Sequence, residues 1–382
     1  MKCLRLCDAY AKIEDPAALL NSFQIEIKAF GPIIRELKDT QFWLPDLNQS
    51  KVMNYFAGID VSKVTLDVTV YNLKKESFYS KFTNNNKGHK QLLSWLKAHQ
   101  IDLAEILFCM ENTGLYSRGL SLFLTAKAVK IWVVMPIVIK RSIGLQRGKN
   151  DKVDSTRIAQ FAMKNYNDQD DIQQDSVAVL ELKDWLACQR RLIRQHLQLQ
   201  QPINEFAAMG LTAQAKAMRI ALSSALTGVL KSIKKVELTI RTLIRNEHDL
   251  KKLYTLMVSV PGIGDITAWH LIAYSNGMKN FNNAKQFACY CGVAPFEHSS
   301  GSSIRGKTRV SQMGNKQLKS LLHLGALTII GGKKGEMYTY YERKINEGKS
   351  KMNVINALRN KILQRVVSVV KNDLPYYSKF AA

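Results

Sequence analysis

Four acidic side chains in the first half of the sequence could act together on a metal ion. Asp60 interrupts the apolar run YFAGIDV, and Glu111 ends the apolar run ILFCME. Asp151 and Asp154 are three residues apart in GKNDKVDSTRIAQFA, a spacing that places both carboxylates on one face of a helix. A carboxylate within an apolar strand is costly to bury unless it is paired or holds a metal ion. Asp60 is therefore the first candidate for a functional residue.

Carboxylates collected from two strands and one helix would suit a hard divalent cation. Mg²⁺ takes carboxylate oxygens, keeps water ligands and leaves positions for a phosphate, and two such ions assist phosphodiester cleavage. Mn²⁺ is the alternative ion. For each acid alone, the competing interpretation is a solvated or salt-bridged surface carboxylate. For Asp151 and Asp154, a second alternative is that their negative charges stabilise the N-terminus of a helix. Asp67 and Glu105 are interpreted as surface acids.

An α/β layer is predicted to position these acids. Three strands in succession, followed by alternating helices and strands, predict a mixed sheet with helices on its faces. Leu66, Val68 and Val70 alternate with polar residues, which is typical of a half-buried strand. The other predicted elements are strands at 56–61, 77–83, 105–110 and 130–135 and helices at 87–99 and 116–128.

The middle of the chain is predicted to be helical. Apolar residues from Ile233 to Tyr254 recur at alternating steps of three and four, with Glu247 as the one polar position, which favours a coiled coil. An earlier helical arm runs up to Pro202. We expect a helical hairpin that packs on itself or on a second copy, and the alternative is an ordinary two-helix spacer.

Two later stretches could bind or attack a phosphate. In VPGIGDITA, Gly262 and Gly264 precede a predicted helix whose free amide groups could hold a phosphate, as in a helix-hairpin-helix loop, although Pro-Gly turns also join helices for structural reasons. Residues 298–335 contain no acid and include SSGSS at 299–303. A serine among fixed cations can attack a phosphodiester, whereas a flexible loop over a basic face is the alternative. The candidate nucleic-acid contacts are Gly262, Gly264, Arg305, Lys307, Arg309 and Lys316.

Overall charge indicates a polyanionic partner. The 55 Lys and Arg against 31 Asp and Glu give a net charge of +24, which points to nucleic acid. The longest apolar run, 131–139, is too short to cross a bilayer, and acids near the start interrupt any signal peptide, so we expect no membrane partner. Six scattered cysteines without CxxC spacing favour reduced thiols and a cytoplasmic location.

Five motifs occur in an order that resembles the DEDD insertion-sequence transposases, recombinases guided by a bridge RNA, and the related Piv-type DNA invertases. The resemblance covers residues 53–330. The motifs are GIDVSK at 58–63, ENTGLY at 111–116, KNDKVDS at 149–155, VPGIG at 260–264, and CGVAPFEHSSG at 291–301 followed by GNKQLK. Two features depart from the family. The first is the N-terminal stretch of 52 residues, which is either a small extra element or, as we favour, upstream sequence read into the gene product. The second is Ser155, where the family more often has alanine.

The resemblance implies a fold and a site. The fold would combine an α/β RNase-H or RuvC-like domain, a long helical coiled coil and a mainly α C-terminal transposase domain. Asp60, Glu111, Asp151 and Asp154 would bind Mg²⁺, and Ser300, with Ser299 as its rival, would be the nucleophile. The implied divisions are an extension at 1–52, a catalytic domain at 53–170, a coiled coil at 171–256, a transposase domain with the helix-hairpin-helix-like loop and the serine at 257–335, and a basic helical tail at 336–382.

The implied mechanism is strand cleavage through a phosphoserine link and exchange through a Holliday junction. DNA, a bridge RNA that reads the target, and a dimer or tetramer of the chain are the expected partners. A Piv-type invertase would use the same chemistry without a guide, and a RuvC-like junction nuclease would cleave by hydrolysis. A non-catalytic nucleic-acid-binding protein is the third alternative, and it predicts that Asp60→Asn leaves every DNA phenotype intact.

Overall fold

The chain divides into two compact units, Met1–Asp168 and Gln169–Ala382. The expected extension at 1–52 lies outside the described residues. The computed structural model describes residues 53–142, 150–168, 175–300 and 304–377.

A five-stranded mixed sheet forms the centre of the first unit. Its strands are β1 (Tyr55–Val61), β2 (Thr65–Asn72), β3 (Ser77–Thr83), β4 (Ile106–Glu111) and β5 (Lys130–Val134). They lie in the order β3-β2-β1-β4-β5. The meander β1-β2-β3 is antiparallel, whereas β4 runs parallel to both β1 and β5. The mixed α/β sheet predicted from three successive strands followed by alternating helices and strands is therefore confirmed.

Helices cover both faces of this sheet. They are α1 (Asn86–Ala98), α2 (Leu115–Thr125), α3 (Pro136–Ser142) and α4 (Asp151–Asn165), and a 3₁₀ turn, Tyr166–Asp168, follows. Ala57, Ile59 and Val61 of β1 pack in one core with leucines of α1 and α2. Phe56 packs in a second core, on the opposite face, with residues of α3 and α4. Because side chains alternate along a strand, Asp60 lies on the face of Phe56, which is the α4 face.

A long helical hairpin opens the second unit. Its arms are α5 (Val177–Ala208) and α6 (Thr212–Asn246), and such a short connection makes neighbouring helices antiparallel. Gln189 of α5 is buried and donates a hydrogen bond of 2.9 Å to Glu237 of α6. The expected self-packing hairpin is present. A coiled coil with a second copy stays a prediction.

Two helix boundaries differ from those predicted for this hairpin. The first arm continues through Pro202 to Ala208. The second arm ends at Asn246, and α7 (His248–Val258) begins after an extended Glu247. The continuous seam expected through Glu247 was therefore wrong, because its apolar residues belong to two helices, and Leu250 packs in the core of the unit.

The rest of the second unit is mostly helical. Its central helix is α8 (Asp265–Ser275), which is apolar on nearly every side, as buried helices are. Pro295–Ser300 (β6) and Ile304–Val310 (β7) form an antiparallel pair that the sequence did not predict. The remaining helices are α9 (Ala284–Tyr290), α10 (Lys316–Gly332), α11 (Glu336–Asn346) and α12 (Lys351–Asn372). Across the described ranges, no helix has an apolar stretch long enough to span a bilayer.

Candidate active site

The strand-borne acids meet at one end of the sheet. In the parallel pairing of β1 and β4, Ile59 lies beside Met110, so Asp60 and Glu111 are the next residues along the two strands. Glu111 follows Cys109 and Leu107 with the same alternation, and both of these residues pack in the core beneath α4. Asp60 and Glu111 therefore face the same helix.

The helical acids are held over that end by close packing of α4. Asn150 caps the helix by accepting a hydrogen bond of 3.0 Å from the Lys152 amide, and Asp151 and Asp154 lie in the first turn. Beneath the helix, a Cβ atom at Gly58 would lie 2.1 Å from the backbone nitrogen of Ala159. Only glycine allows this approach, and it brings the first turn of α4 close to β1.

A buried hydroxyl pair fixes the helix beside this contact. Ser155 of α4 is fully buried, and its Oγ lies 2.8 Å from Oγ1 of Thr69 on β2. Thr69 is the register partner of Gly58. The family more often has alanine at this position. The additional hydroxyl group of Ser155 is accommodated in the core because it forms a hydrogen bond with the Thr69 hydroxyl.

The four predicted acids act electrostatically on one another. The pKa of Asp60 is raised to about 6, mainly by burial and then by the carboxylates of Asp154, Asp151 and Glu111, in that order, with Asp67 contributing least. Like charges brought together disfavour ionisation in this way. Asp60 has no hydrogen bond or ion pair with any residue that the structure describes. All four acids predicted from the sequence therefore lie in one region of the first unit.

The acid side chains do not surround a common point. No group of three or more His, Cys, Asp or Glu residues in the described part of the chain has a geometry that could hold a metal ion. Two of the acids have cationic partners instead: Asp154 accepts a hydrogen bond of 2.8 Å from Arg157, and Asp151 lies 3.9 Å from the Lys81 ammonium. The donor chemistry fits a divalent cation, whereas the side-chain arrangement is that of ion-paired acids.

Asp67 was wrongly interpreted as a surface acid. Asp67 is 2% exposed and accepts a hydrogen bond of 2.5 Å from the Tyr79 hydroxyl. It also forms an ion pair of 3.3 Å with the Lys81 ammonium. Its alternation with the valines of β2 indicated a solvent face, but α4 covers that face. Glu105 is partly buried and accepts a hydrogen bond of 2.8 Å from Asn54.

Tyr79 and Lys81 are residues of the site that the sequence did not suggest. Lys81 is the register partner of Asp67, which is itself the partner of Asp60, so the three side chains form a row across three strands. The Asp67 carboxylate raises the pKa of Tyr79 to about 12, and the Lys152 ammonium lies 5.0 Å from the Tyr79 ring centroid. The available signal was the two-residue spacing of Tyr79 and Lys81, which places both on the face of Asp67.

The serine stretch lies in the hairpin of the second unit. The backbone register places Ser299 opposite Arg305 and Ser300 opposite Ile304. Residues 301–303 lie outside the described residues. The hairpin is tied at its base, where the Asn315 amide donates a hydrogen bond of 2.7 Å to the Tyr290 carbonyl.

Three candidate nucleic-acid contacts lie in the second strand of this hairpin and in the helix that follows it. Lys307 and Arg309 lie in β7, and the Arg309 side chain is exposed. Lys316 is the exposed first residue of α10. The hairpin thus pairs a strand of basic sequence with the strand that carries the serines, and its contact with nucleic acid stays a prediction.

The Pro-Gly turn connects α7 to α8, as expected for a loop between two helices. Gly262 has φ of +86°, and its Cβ would lie 2.8 Å from the Gly325 carbonyl of α10, so the turn packs closely on that helix. Gly264 precedes α8, whose first residue, Asp265, forms an ion pair of 2.9 Å with Arg241. Packing accounts for Gly262, and phosphate binding at Gly264 stays a prediction beside that carboxylate.

Comparison with known proteins matches both parts of this arrangement. A family model for DEDD-type IS110 transposases matches residues 57–207, which contain the four acids. A model described as the transposase IS116/IS110/IS902 family matches residues 254–342, which contain the serine hairpin. The chain belongs to the IS110 family of transposases.

Individual relatives agree with this family. The pilin gene-inverting protein of Moraxella bovis is 26% identical over 84% of this chain and 97% of its own length. The transposase for insertion sequence element IS1111A of Coxiella burnetii is 27% identical over 49% of this chain and 56% of its own length. The insertion element IS110 uncharacterized 43.6 kDa protein of Streptomyces coelicolor is 30% identical over 42% of this chain and 38% of its own length. As an IS110-family transposase, the chain is an enzyme that recombines DNA.

Proposed function

We propose that this transposase cuts and rejoins DNA strands through a covalent protein-DNA link, with the four acids holding a divalent cation and Ser300 supplying the attacking oxygen. The environment of Asp60 carries the proposal. Its carboxylate has no partner among the described residues, while burial and three neighbouring acids raise its pKa to about 6. Carboxylates whose pKa values are perturbed by burial and by like charges cluster at functional sites.

Asp60, Glu111, Asp151 and Asp154 would hold the cation. They offer only carboxylate oxygens, the ligands that Mg²⁺ prefers, and Mn²⁺ accepts the same set. When bound, the cation supplies positive charge to the reacting phosphate. Ligation requires Asp151 to leave Lys81 and Asp154 to leave Arg157. Lys81 is about half exposed and its ion pair with Asp151 is long, so the release of Asp151 costs little free energy. The pair of Asp154 with Arg157 is shorter, at 2.8 Å, and less exposed, so its release costs more.

Ser300 would attack the phosphorus of one phosphodiester. Its O–H bond breaks as an Oγ–P bond forms, and the P–O bond to the departing deoxyribose oxygen breaks as that oxygen takes up a proton. The strand stays attached as a phosphoserine ester, so a second strand can displace the serine and restore a diester. Arg305 and Lys307 would offset the negative charge on the phosphate. The family motif supports Ser300, which precedes Gly301, and Ser299 is the alternative.

A guide RNA and a second copy are further parts of the proposal. The charge of +24 is distributed along the chain, which suits a protein that holds backbone while RNA pairing reads the sequence. Ile193, Leu197 and Ile220 of the hairpin are exposed apolar side chains and would pack in a dimer or tetramer. RNA that copurifies with the chain is expected to be one short noncoding species. Sequencing that returns a sample of abundant cellular RNA instead would argue against a guide.

An invertase is the second candidate for the biological outcome. Similarity to the Moraxella bovis pilin gene-inverting protein over 84% of this chain favours it. The chemistry is the same, so the site cannot separate the two outcomes, but the absence of a specific RNA would favour the invertase. A junction nuclease differs in chemistry, because hydrolysis leaves no protein-DNA link.

Trapping the covalent species tests the proposed chemistry. The full chain is incubated with Mg²⁺ and labelled DNA carrying the element's ends, then denatured and separated by size. We expect labelled DNA to migrate with the wild-type protein and with Ser299→Ala, but not with Ser300→Ala. An adduct that persists in Ser300→Ala places the nucleophile elsewhere, and cleavage without any adduct in the wild type indicates a hydrolytic nuclease.

A further inference from the structure

A second basic site lies in the C-terminal helices, away from the serine hairpin in sequence. A groove of about 270 Å³ is formed by α11 and α12. Arg343, Lys361 and Arg365 line it together with Tyr340 and Glu336. The groove opens to solvent, because the Arg343 side chain is 64% exposed. Three cations therefore converge on one accessible concavity that contains one acid.

The acid in the groove neutralises only one of these cations. Glu336 accepts a hydrogen bond of 2.7 Å from Arg365 and a longer one of 3.3 Å from the Tyr376 hydroxyl. Lys361 has no acidic partner in the part of the chain that the structure describes. Lys361 and Arg365 are four residues apart on α12, and like charges at this spacing destabilise a helix.

Arg343 is also poorly neutralised. Its Nε lies 3.9 Å from Glu347, whereas the Lys344 ammonium lies 2.5 Å from the same residue. Two of the three cations in the groove thus keep most of their charge available for an anion. A bound anion would remove the repulsion that the free protein contains.

An aromatic ring holds these two cations in place. The Lys361 ammonium lies 4.5 Å from the centroid of the Tyr340 ring, and the Arg343 guanidinium lies 5.8 Å from it. Cation–π contacts at these distances orient the charges without neutralising them. Tyr340 packs against the hydrophobic core of the unit, which includes the buried Met337, and Met337 also lines the groove.

We propose that this groove binds the phosphodiester backbone of a nucleic acid. Fixed, unneutralised cations around a shallow groove suit a continuous chain of phosphates, and the groove is smaller than the ~300–1,000 Å³ of sites that enclose small molecules. Backbone contacts position a nucleic acid without reading its sequence. The inference requires only the DNA-recombining activity of the family and does not depend on the proposed serine or metal chemistry.

Binding as a function of salt concentration tests the groove in the full chain. The variant Lys361→Gln/Arg343→Gln removes two charges from the groove. The control Lys279→Gln/Lys285→Gln removes two charges from exposed residues of the same unit outside it. Both pairs are titrated with a DNA duplex and with an RNA of the same sequence, and circular dichroism checks that each variant is folded.

We expect the groove variant to reduce the slope of log K against log salt by about 2 for duplex DNA, and the control by less than half of that. At 0.1 M salt, binding should weaken roughly 10- to 100-fold in the groove variant. If the groove variant loses affinity only for the RNA, the groove binds an RNA backbone. If it loses affinity only for the duplex, the groove binds a DNA backbone.

Three results would overturn the proposal. Equal losses in the groove variant and the control would mean that only total charge matters. An unchanged slope in the groove variant would mean that no phosphate lies there. Competition by inorganic phosphate at constant ionic strength would mean that the groove takes a small anion instead. Lys361→Arg, which keeps the charge, should retain the wild-type slope.

Discussion

Asp60 on β1 lies directly opposite Asp67 on β2, and the two carboxylates face the same side of the sheet. Asp67 is buried and held by Tyr79 and Lys81, whereas Asp60 has no partner among the described residues. Two acids of the same type in neighbouring positions thus have opposite environments. One is a structural carboxylate whose charge is compensated, and the other has no compensating cation among the described residues.

The uncompensated carboxylate should make the protein less stable as the pH rises. Asp60 ionises near pH 3.8 in the unfolded chain and near 6 in the folded protein. Between these values the folded state keeps a proton that the unfolded state has released, so stability falls as pH rises through this range. Asp60→Asn should therefore stabilise the metal-free protein above pH 6, by on the order of 1–2 kcal/mol after solvent screening, and should gain nothing below about pH 4.

Urea unfolding of both proteins between pH 4 and 7.5 in EDTA measures this difference. Adding Mg²⁺ at pH 7.5 should then stabilise the wild type but not Asp60→Asn, because only the wild type gains the bound ion. If the variant is less stable than the wild type at every pH, Asp60 has a compensating partner and the account of its environment is wrong.

Asp67→Asn is expected to destabilise the protein, whereas Asp60→Asn is expected to stabilise it. Asp67→Asn keeps the shape of the side chain but removes the charge that Lys81 pairs with, and removing one member of a buried pair is destabilising. Because Lys81 is about half exposed, the loss should be about 2 kcal/mol, smaller than the 3–5 kcal/mol of a fully buried pair. Urea unfolding at pH 7.5 measures it, and a stability equal to the wild type would show that Asp67 does not hold Lys81.

The position of α4 should depend on Gly58. In Gly58→Ala the new methyl group would lie 2.1 Å from the Ala159 nitrogen, so the helix carrying Asp151 and Asp154 must move. We expect a loss of about 3 kcal/mol or more in unfolding free energy and a loss of activity. Gly228→Ala is the control, because a Cβ there meets nothing within 4 Å, and it should stabilise its helix by up to about 1 kcal/mol. Equal stability of both variants would contradict the close packing.

Local patterns were sufficient to predict the sheet. The strand predicted at Ser77–Thr83 has those bounds in the structure, and the apolar runs gave both acid-bearing strands within one residue at each end. The acids themselves were visible because a charge inside an apolar run is rare. The patterns could not predict which helix packs on each face of the sheet. Asp67 occupies a position that alternation assigns to a solvent-exposed face, but the packing of α4 buries it.

Long-range packing also explains the other differences. Pro202 removes one backbone hydrogen bond, but α5 continues through it because the helix packs against α6 and Ile203, beside the proline, is buried. The break at Glu247 carries no proline or glycine, so no local signal marks it. Lys81 has no recognisable motif, and its role depends on strand register, which a single sequence does not specify.

Mapping the covalent DNA link to a residue, in the presence and absence of the Asp60 carboxylate, tests whether Ser300 attacks DNA at a site that depends on Asp60. The adduct formed with Mg²⁺ is digested with trypsin and nuclease, and the modified peptide is identified by mass spectrometry. We expect a nucleotide on Ser300, in the peptide ending at Arg305, and a yield lowered about 100-fold in Asp60→Asn. A nucleotide on a residue outside 299–300, or an undiminished yield in Asp60→Asn, would contradict the proposal.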